Sequence, residues 1–586
     1  MAPAIRAGGG RRRGVVLMGG QEDMRRLFRW FLLGAGVLAG CGPSVAEYCA
    51  AGSPECSPAD ASAGDAAADD RMDAKVGDSA LDGGLEAALG DAAPDDRIDA
   101  EIGDSALDGG LEAEVAPSAC DPTKSPHDEP CVVDTAFGIF ASPAGSDTDP
   151  GSKSAPVRTI GRAMDMAKAA GKRVYVCAGS YPEQLVVGSS RDGVNVYGAL
   201  DCATWSYSAT NRIVVAPALS GYALEIQSLQ TGATFEDLEF DAQNAPYGAA
   251  GASSVAVLVS SSQRVQFDRV VMLAGKGNDG APAGSTSATN WFGTPPAFAE
   301  LNGNNAEDAG GAPSKPCTCA DQSQTSGGAG GGPMNIPSPG AGTPAYSDAG
   351  AGAGGTNALS CATGGTGQNG YEAPVPTPNM SSASRGSCSP SGCVPGTGSA
   401  GDNGKPGQGG GGGGNGPLST GSGGGGACGG CGGAGGKGGQ GGGASIALLS
   451  FQSSIALADC TLTATAAGNG GAGGAAEAGQ AGGIMGGYGN LGGCAGGAGG
   501  AGAGGKGGQG GPGGPSLGIG YMGAPPTVDG VVFPQATIVS GISVGAAGSG
   551  GATGLGGASA ANSTGPAGAM GSPGQAGLAA AVGALP

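Results

Sequence analysis

The sequence predicts a mainly β protein, built as a stack of coils of short parallel strands and interrupted by long glycine-rich insertions. Three observations predict this fold. Short apolar runs follow one another at intervals of 8 to 20 residues, with turn residues between them. A pattern of two apolar strands recurs at 254–272, at 445–462 and, in a degraded form, from 516 onward. A glycine-rich stretch follows each copy at the same point, as expected when neighbouring coils of a solenoid carry insertions at one corner.

Composition limits the kinds of protein that this chain can be. Glycine provides 129 of the 586 residues, against a usual share of about 7%. With only 11 Phe, 11 Tyr and 3 Trp, a single large packed core is not expected. The net charge of −21 is concentrated in residues 57–119, which hold 17 acidic and 3 basic residues. The acidity argues against a nucleic-acid partner, because phosphates would be repelled.

The N-terminus carries a short export signal. Three arginines between positions 25 and 29 precede an apolar run that closes on Leu38-Ala39-Gly40-Cys41. The run is shorter than the roughly 20 residues that span a bilayer, and it has the length of a signal-peptide core. The pattern resembles a bacterial lipoprotein signal, which implies that residues 1–40 are a signal peptide and that Cys41 carries a lipid. Gly42 favours the outer membrane or cell surface as the location within the cell envelope.

Residues 41–119 are predicted to be a disordered acidic linker. The segment Asp69–Ala74 recurs 26 residues later as Asp95–Ala100, so the linker contains an internal duplication. Residues 57–119 contain no aromatic side chain, and their high charge favours disorder over a folded repeat. Such a linker would hold the following domain away from the membrane surface.

Residues 120–273 are predicted to form the N-terminal part of the strand stack, led by one helix. Thr159 is a suitable N-cap, apolar residues between 160 and 167 share one helical face, and Gly171 is a suitable end. A strand and the sequence Ala178-Gly179-Ser180-Tyr181-Pro182-Glu183 follow. This order resembles the opening of pectin-lyase-like proteins. The resemblance implies a right-handed parallel β-helix whose first coil is capped by the helix, whereas strand spacing alone would also allow a β-sandwich.

The recurring strand pattern divides the rest of the chain. Further coils of the β-helix are expected at 445–465 and 516–544. Glycine-rich insertions are expected at 274–444 and 466–515, and a Gly/Ala-rich tail at 545–586.

The insertions resemble the PGRS class of glycine-rich bacterial surface proteins. Gly429–Gly436 and Gly496–Gly514 are examples. Two structures are open to such sequences. A flexible coil is favoured by backbone entropy. A bundle of extended polyproline-II strands is favoured because small side chains let backbones approach one another. Collagen is excluded, because no strict Gly-x-y register with abundant proline is present.

Sixteen cysteines in an exported chain predict disulfide bonds. Sequence neighbours suggest the pairs Cys49–Cys56, Cys120–Cys131, Cys177–Cys202 and Cys388–Cys393, although spacing does not determine connectivity. Cys428 and Cys431 have the spacing of half a zinc site that Cys317 and Cys319 would complete, but export favours a disulfide. Cys460 lies in an apolar run and is expected to be buried. We expect no metal and no cofactor.

Catalytic chemistry has few candidates in this chain. A single histidine, His127, excludes Ser-His-Asp and Cys-His triads elsewhere in the stack. The pectin-lyase-like resemblance implies that acids on exposed strands, with a basic partner, would act on sugars. Alternation over 233–241 predicts three carboxylates on one face, although such a face is also an ordinary solvated strand surface. The candidate residues are Asp237, Glu239, Asp241, Asp268 and Arg269.

We therefore expect a non-catalytic, surface-anchored lipoprotein with a structural or adhesive role at the bacterial cell envelope. Its expected partners are the membrane, through the lipid, and polysaccharide or other cell-surface components, but not nucleic acid. The alternative is a carbohydrate-active β-helix enzyme, either a polysaccharide lyase or a glycosidase.

Overall fold

The structure is a computed structural model, and part of the chain is described by it. The described residues are 120–284, 291–293, 296–303, 311–346, 352–355, 362–365, 386–415, 421–560 and 565–585. The predicted signal peptide, Cys41, the acidic linker and the Cys49–Cys56 pair lie outside these ranges.

Strands dominate the described residues. One α-helix, α1, spans Ile160–Ala170, and short 3₁₀ turns lie at Pro130–Val132, Ser189–Arg191, Phe298–Leu301 and Pro333–Asn335. The strands in chain order are β1 Gly138–Ala141, β2 Arg173–Cys177, β3 Gly179–Tyr181, β4 Leu185–Val187, β5 Val196–Leu200, β6 Ile213–Val215, β7 Leu224–Gln227, β8 Ala233–Glu236, β9 Glu239–Asp241, β10 Ser254–Ser260, β11 Val265–Asp268, β12 Val271–Leu273, β13 Pro316–Thr318, β14 Gln324–Ser326, β15 Gly386–Ser389, β16 Gly392–Pro395, β17 Ser445–Phe451, β18 Ile455–Ala458, β19 Thr461–Ala464, β20 Ser516–Met522, β21 Thr527–Val528, β22 Val531–Val532, β23 Ile542–Val544 and β24 Ala579–Ala584.

All strands except β13 to β16 form three parallel sheets, and each coil of the chain gives one strand to each sheet. The first sheet has the order β1-β2-β5-β8-β11-β18-β21-β22, in which only the last pair is antiparallel. The second sheet has the order β3-β6-β9-β12-β19-β23, and the third has β4-β7-β10-β17-β20-β24. Successive strands of each sheet come from successive coils, which is the topology of a parallel β-helix.

The recurring strand pattern occupies neighbouring rungs of the third sheet. Val255 is in register with Ile446, and Ile446 is in register with Leu517. Side chains that point inward form one continuous core along the stack. Phe235 and Phe267, one rung apart in the first sheet, stack with their ring centroids 5.7 Å apart.

The central strands of the third sheet, β10 and β17, are buried on both faces. Val255, Ile446 and Leu517 belong to a second apolar cluster, separate from the interior of the stack. The disulfide-closed hairpin of β15 and β16 packs against this cluster through Cys388 and Cys393. Burial on both faces explains why β10 and β17 have nearly continuous apolar sequences rather than alternating ones.

Helix α1 lies where the sequence predicts a helix and packs on the first strands of the stack. The Thr159 side chain accepts a hydrogen bond from the Arg162 amide, and Gly171 ends the helix in the left-handed conformation. Ile160 and Met164 are fully buried in the main core. The helix therefore contributes one apolar face to the same interior as the strands.

The glycine-rich insertions run as extended segments that continue the walls of the β-helix. Three outgoing segments, 274–284, 466–483 and 545–558, leave the ends of β12, β19 and β23. Three returning segments lead into β17, β20 and β24; they span 424–443, 496–514 and 565–577. Each insertion thus connects a strand of the second sheet to a strand of the third sheet along the chain.

Hydrogen bonds between these segments recur at every third residue. Gly470 donates to Ser549, and the same bond repeats three residues further along both outgoing segments. Gly430 and Gly500 start a similar parallel series between two returning segments. Outgoing and returning segments are antiparallel to one another. A step of three residues is the repeat of a polyproline-II helix, so the outgoing and returning segments form layers of extended helices.

The central returning segment, 496–514, explains why glycine is needed. Gly508, Gln509 and Gly510 each donate their amide to a different neighbouring segment. A Cβ atom added to Gly508 would lie 1.9 Å from the Lys437 carbonyl oxygen. Real Cβ atoms do not approach backbone oxygen so closely. Glycine therefore occupies the positions where two backbones touch.

The prediction that residues 545–586 form a Gly/Ala-rich tail is wrong in one respect. It forms a third out-and-back insertion, and its last described residues return to the third sheet as β24. The sequence Ala-Ala-Ala-Val-Gly-Ala has weak strand preference, and its pairing with β20 decides its structure.

Candidate functional sites

The predicted row of three carboxylates is broken by a corner of the coil. Strand β8 ends at Glu236 and β9 begins at Glu239, because Asp237 takes a left-handed conformation with φ 57°. Glu239 and Asp241 therefore lie on the second sheet, where Arg212 pairs with Glu239. The prediction that Asp237, Glu239 and Asp241 converge on one face is wrong, since alternation does not continue through a left-handed residue.

Instead, the structure groups four charged residues at this corner. Arg269 forms ion pairs with Glu236, with Asp237 at 3.0 Å and with Asp268 at 3.1 Å. Glu236 and Asp268 are one rung apart in the first sheet. We refer to Glu236, Asp237, Asp268 and Arg269 as the corner cluster.

Glu236 was not predicted from the sequence, although the other three members of the corner cluster were. A signal for the corner exists in the sequence. Asp237, Arg269, Asp459 and Asp529 all take positive φ values between 49° and 57°, and each follows the end of a first-sheet strand. Aspartate is enriched in this backbone region, so recurring acids after such strands indicate a stacked corner.

Burial dominates the electrostatics of the corner cluster. Glu236 is only 4% exposed, and burial raises the pKa of its carboxyl despite the nearby Arg269 guanidinium. Burial also raises the pKa of Asp268. The arginine is bonded to carboxylates on two successive coils, so the cluster joins neighbouring coils.

An N-terminal loop lies beside the corner cluster. The Cys120–Cys131 disulfide closes this loop, which contains His127. The His127 ring meets Tyr207 edge-on at 5.4 Å, and its Nδ1 atom lies 2.9 Å from Asp128 Oδ1. Burial, together with the neighbouring Asp237 carboxylate, raises the pKa of Tyr207. Acid–base catalysis needs a group within reach of substrate, whereas Glu236 is enclosed and ion-paired.

Three of the suggested cysteine pairs are present as disulfides, and Cys428 and Cys431 are bonded to Cys317 and Cys319, the two cysteines that the sequence places with them. The pairs in which both cysteines are described are Cys120–Cys131, Cys177–Cys202, Cys388–Cys393, Cys317–Cys428 and Cys319–Cys431. Cys428 and Cys431 thus bond to the hairpin of β13 and β14 and leave no zinc half-site. Cys460 is a buried free thiol, and burial raises its pKa to about 11. Cys120, Glu129 and Cys131 lie close together in the arrangement of a candidate metal site. The two sulfur atoms are bonded to each other as a disulfide and are therefore not thiolate ligands.

A second feature is an open polar depression of about 560 Å³ where the outgoing segments leave the coils. Asn244 and Tyr247 line it from the turn between β9 and β10, Lys276 and Asp279 from the first outgoing segment, and Asn469 from the second. The Tyr247 side chain is fully exposed. No functional site was predicted from the sequence at these residues.

No helix among the described residues is both long and apolar enough to cross a membrane.

Comparison with known proteins gives two matches. Residues 143–199 match the family described as "Protein of unknown function (DUF1565)". A solved rhamnogalacturonan lyase is similar at 18% sequence identity over 24% of this chain and 38% of the lyase, with a TM-score of 0.13. The chain thus spans well under half the length of that lyase. No curated protein matches the chain.

The family match covers the start of the β-helix. Within it, Asp147 accepts hydrogen bonds from the Arg158 and Thr159 amides, and Glu183 accepts them from the Ile160 and Gly161 amides. Both acids therefore hold the beginning of α1, so their role here is structural. The corner cluster and the polar depression lie outside the matched residues.

Proposed function

We propose that this protein is an exported, lipid-anchored surface protein with a non-catalytic structural or adhesive role at the bacterial cell envelope. The observation that carries the proposal is the bundle of outgoing and returning segments. Its backbones are hydrogen-bonded to one another and continue the sheets of the β-helix. Glycine and alanine dominate these segments, so they supply a stiff framework and few side chains for chemistry.

The engagement of the candidate catalytic residues also supports a non-catalytic role. Arg269 is bonded to three carboxylates, and Glu236 is enclosed. Such a group is well suited to joining coils, because removing one partner of a buried pair leaves an uncompensated charge. It is poorly suited to meeting a polymer substrate.

Anchoring is proposed at Cys41, followed by the acidic linker of residues 41–119. The experiment compares the full chain with Cys41→Ala in a bacterial host fed radiolabelled palmitate. We expect the label on the wild-type chain alone, and we expect the variant to leave the membrane fraction. Equal labelling, or equal membrane retention of both chains, would contradict the anchor. Cys460→Ala is the matched control, because Cys460 is a buried thiol with no role in anchoring.

One observation favours the alternative of a carbohydrate-active enzyme: burial raises the pKa of Glu236 beside Asp268 and Arg269. A raised carboxyl pKa is a property of general acids. The test incubates the full chain and its Glu236→Gln variant with a panel of polysaccharides and measures new reducing ends and ultraviolet absorbance. We expect no turnover by either chain. Turnover that is lost in Glu236→Gln would replace our proposal with the enzyme.

A further inference from the structure

The polar depression described above has a chemistry that the structural role does not require. Its side chains come from three parts of the chain: the turn between β9 and β10, the first outgoing segment and the second outgoing segment. These parts are hydrogen-bonded together. Gly277 donates to Ala466, and Ala245 donates to Lys276. The floor of the depression is therefore held in place by the backbone.

Three amide side chains in the depression are fixed at one end. Asn244 Oδ1 accepts the Lys276 amide at 2.7 Å. Asn278 Nδ2 donates to two backbone carbonyls of the turn, at 2.6 and 2.9 Å. Asn469 Oδ1 accepts from the Ser549 amide and hydroxyl, both at 2.9 Å. The opposite ends of these amides, Asn244 Nδ2, Asn278 Oδ1 and Asn469 Nδ2, have no partner among the described residues. They supply two donors and one acceptor in fixed positions.

The charges in the depression are balanced. Lys276 contributes one positive charge and Asp279 one negative charge. Asp279 Oδ1 accepts a hydrogen bond from the backbone N–H of Asn469 at 2.6 Å, which orients the carboxylate. A ligand with a net charge gains no electrostatic advantage here, whereas a ligand with many neutral hydroxyl groups meets donors and acceptors of both kinds.

Tyr247 adds an aromatic ring beside these groups. Its relative exposure is 106%, so nothing in the described chain covers it. An exposed tyrosine offers an apolar ring face and a hydroxyl in one side chain, which suits surfaces that are partly apolar and partly polar. A sugar ring has the matching chemistry, with C–H groups on its face and hydroxyl groups at its edge.

We propose that this depression binds a neutral polysaccharide, with Tyr247 against a sugar ring and Asn244, Asn278 and Asn469 bonded to its hydroxyl groups. The inference rests on the proposed adhesive role and names its ligand class and site. The open shape of the depression suits a chain that passes through it rather than a small molecule that is enclosed.

The experiment uses the full chain, purified in detergent, on surfaces coated with dextran, mannan or galactan, and with polygalacturonate as a charged comparison. We expect binding to at least one neutral polymer and weaker binding to polygalacturonate. Tyr247→Ala should lower the affinity about tenfold, which corresponds to roughly 1.4 kcal/mol. The ring is fully exposed, so folding is expected to be unchanged, and circular dichroism checks this.

Tyr488→Ala is the matched control, because Tyr488 is an exposed tyrosine on the insertion between the second outgoing and returning segments. It should bind as the wild type does. Neutral-polymer binding that survives Tyr247→Ala would overturn the site and leave the adhesive role in place. Stronger binding to polygalacturonate would overturn the ligand class. Absence of binding to every polymer would contradict both the site and the adhesive role, while the Cys41 labelling experiment still tests the anchor separately.

Discussion

Asp192 connects two turns on neighbouring coils. Its carboxylate accepts hydrogen bonds from the backbone amides of Gln230, Thr231 and Gly232, just before β8. Burial opposes ionisation, but these bonds prevail and lower the pKa of Asp192. This one side chain thereby supplies the hydrogen bonds that β-strand pairing would otherwise supply, at a place where the coils do not pair as strands.

The lowered pKa predicts how Asp192 contributes to stability. The contribution is fully present above the unfolded pKa of about 3.9, and it is lost as pH falls through the lower folded value. Asp192→Asn should therefore be less stable than the wild type at pH 6, with a smaller difference at pH 2.5. Urea unfolding at both pH values measures this. A difference that grows on acidification would contradict it, and Asp149→Asn controls for the loss of a surface charge.

Residue-level prediction from the sequence succeeded where chemistry was local and failed at corners. The N-cap at Thr159 and the end at Gly171 follow from local geometry. The carboxylate row failed because Asp237 turns the chain by a left-handed residue, which a pattern with period two does not reveal. Cys317 and Cys319 were named with Cys428 and Cys431, but sequence spacing did not determine which sulfur atoms bond across the 111 residues between Cys317 and Cys428.

At the scale of elements, the glycine-rich segments obey a steric rule. Glycine is required where a Cβ would meet a neighbouring carbonyl, and other residues are accepted where the backbone faces outward. Gly508→Ala should destabilise the protein by at least about 1–3 kcal/mol, the usual cost of overpacking. Thermal unfolding measures the loss. Gly284→Ala is the matched control, because no atom of the described residues lies within 4 Å of its added Cβ. Equal stability of both variants would show that the segments do not pack at this distance.

Two disulfides fasten the β13–β14 hairpin to the first returning segment. Cys317–Cys428 and Cys319–Cys431 have sequence separations of 111 and 112, so they close almost the same loop. Removing either pair by Cys→Ala substitution should cost little, because the other still closes the loop. Removing both should cost up to about 4.7 kcal/mol, the chain-entropy value for a loop of roughly 100 residues.

Denaturant unfolding of the two double variants and the quadruple variant measures this coupling. The Cys388–Cys393 pair, with a separation of 5, is the control for loss of a short loop. It should cost less than the quadruple variant. Two large, additive losses from the single-pair removals would argue against a shared loop.

Element-level prediction worked best where the sequence repeats. The three copies of the strand pattern predicted neighbouring rungs, and the register of Val255, Ile446 and Leu517 agrees. Strand β24 was missed because Ala579–Ala584 contains a single β-branched residue, Val582, among alanine and glycine. Whether the glycine-rich segments form ordered layers or a flexible coil also depends on long-range pairing. Composition alone left both open, because it does not report which backbones meet.

At the scale of the whole molecule, two kinds of interior lie side by side. The β-helix buries Phe, Ile, Leu and Val, whereas the bundle buries glycine backbone. Exposure of apolar surface on unfolding raises the heat capacity, and exposure of polar surface lowers it. The urea m-value grows with all the surface that unfolding exposes. The ratio of heat-capacity change to m-value should therefore be well below that of ordinary globular proteins.

Calorimetry and urea titration of the full chain give this ratio, which does not depend on how many residues are ordered. An ordinary ratio would mean that the glycine-rich segments contribute little to the cooperative unit. A low ratio has a physiological meaning. Stabilisation by apolar burial weakens on cooling, whereas a framework held by peptide groups has a flatter stability curve. Backbone-to-backbone packing would thus give a scaffold whose rigidity changes little between warm and near-freezing surroundings.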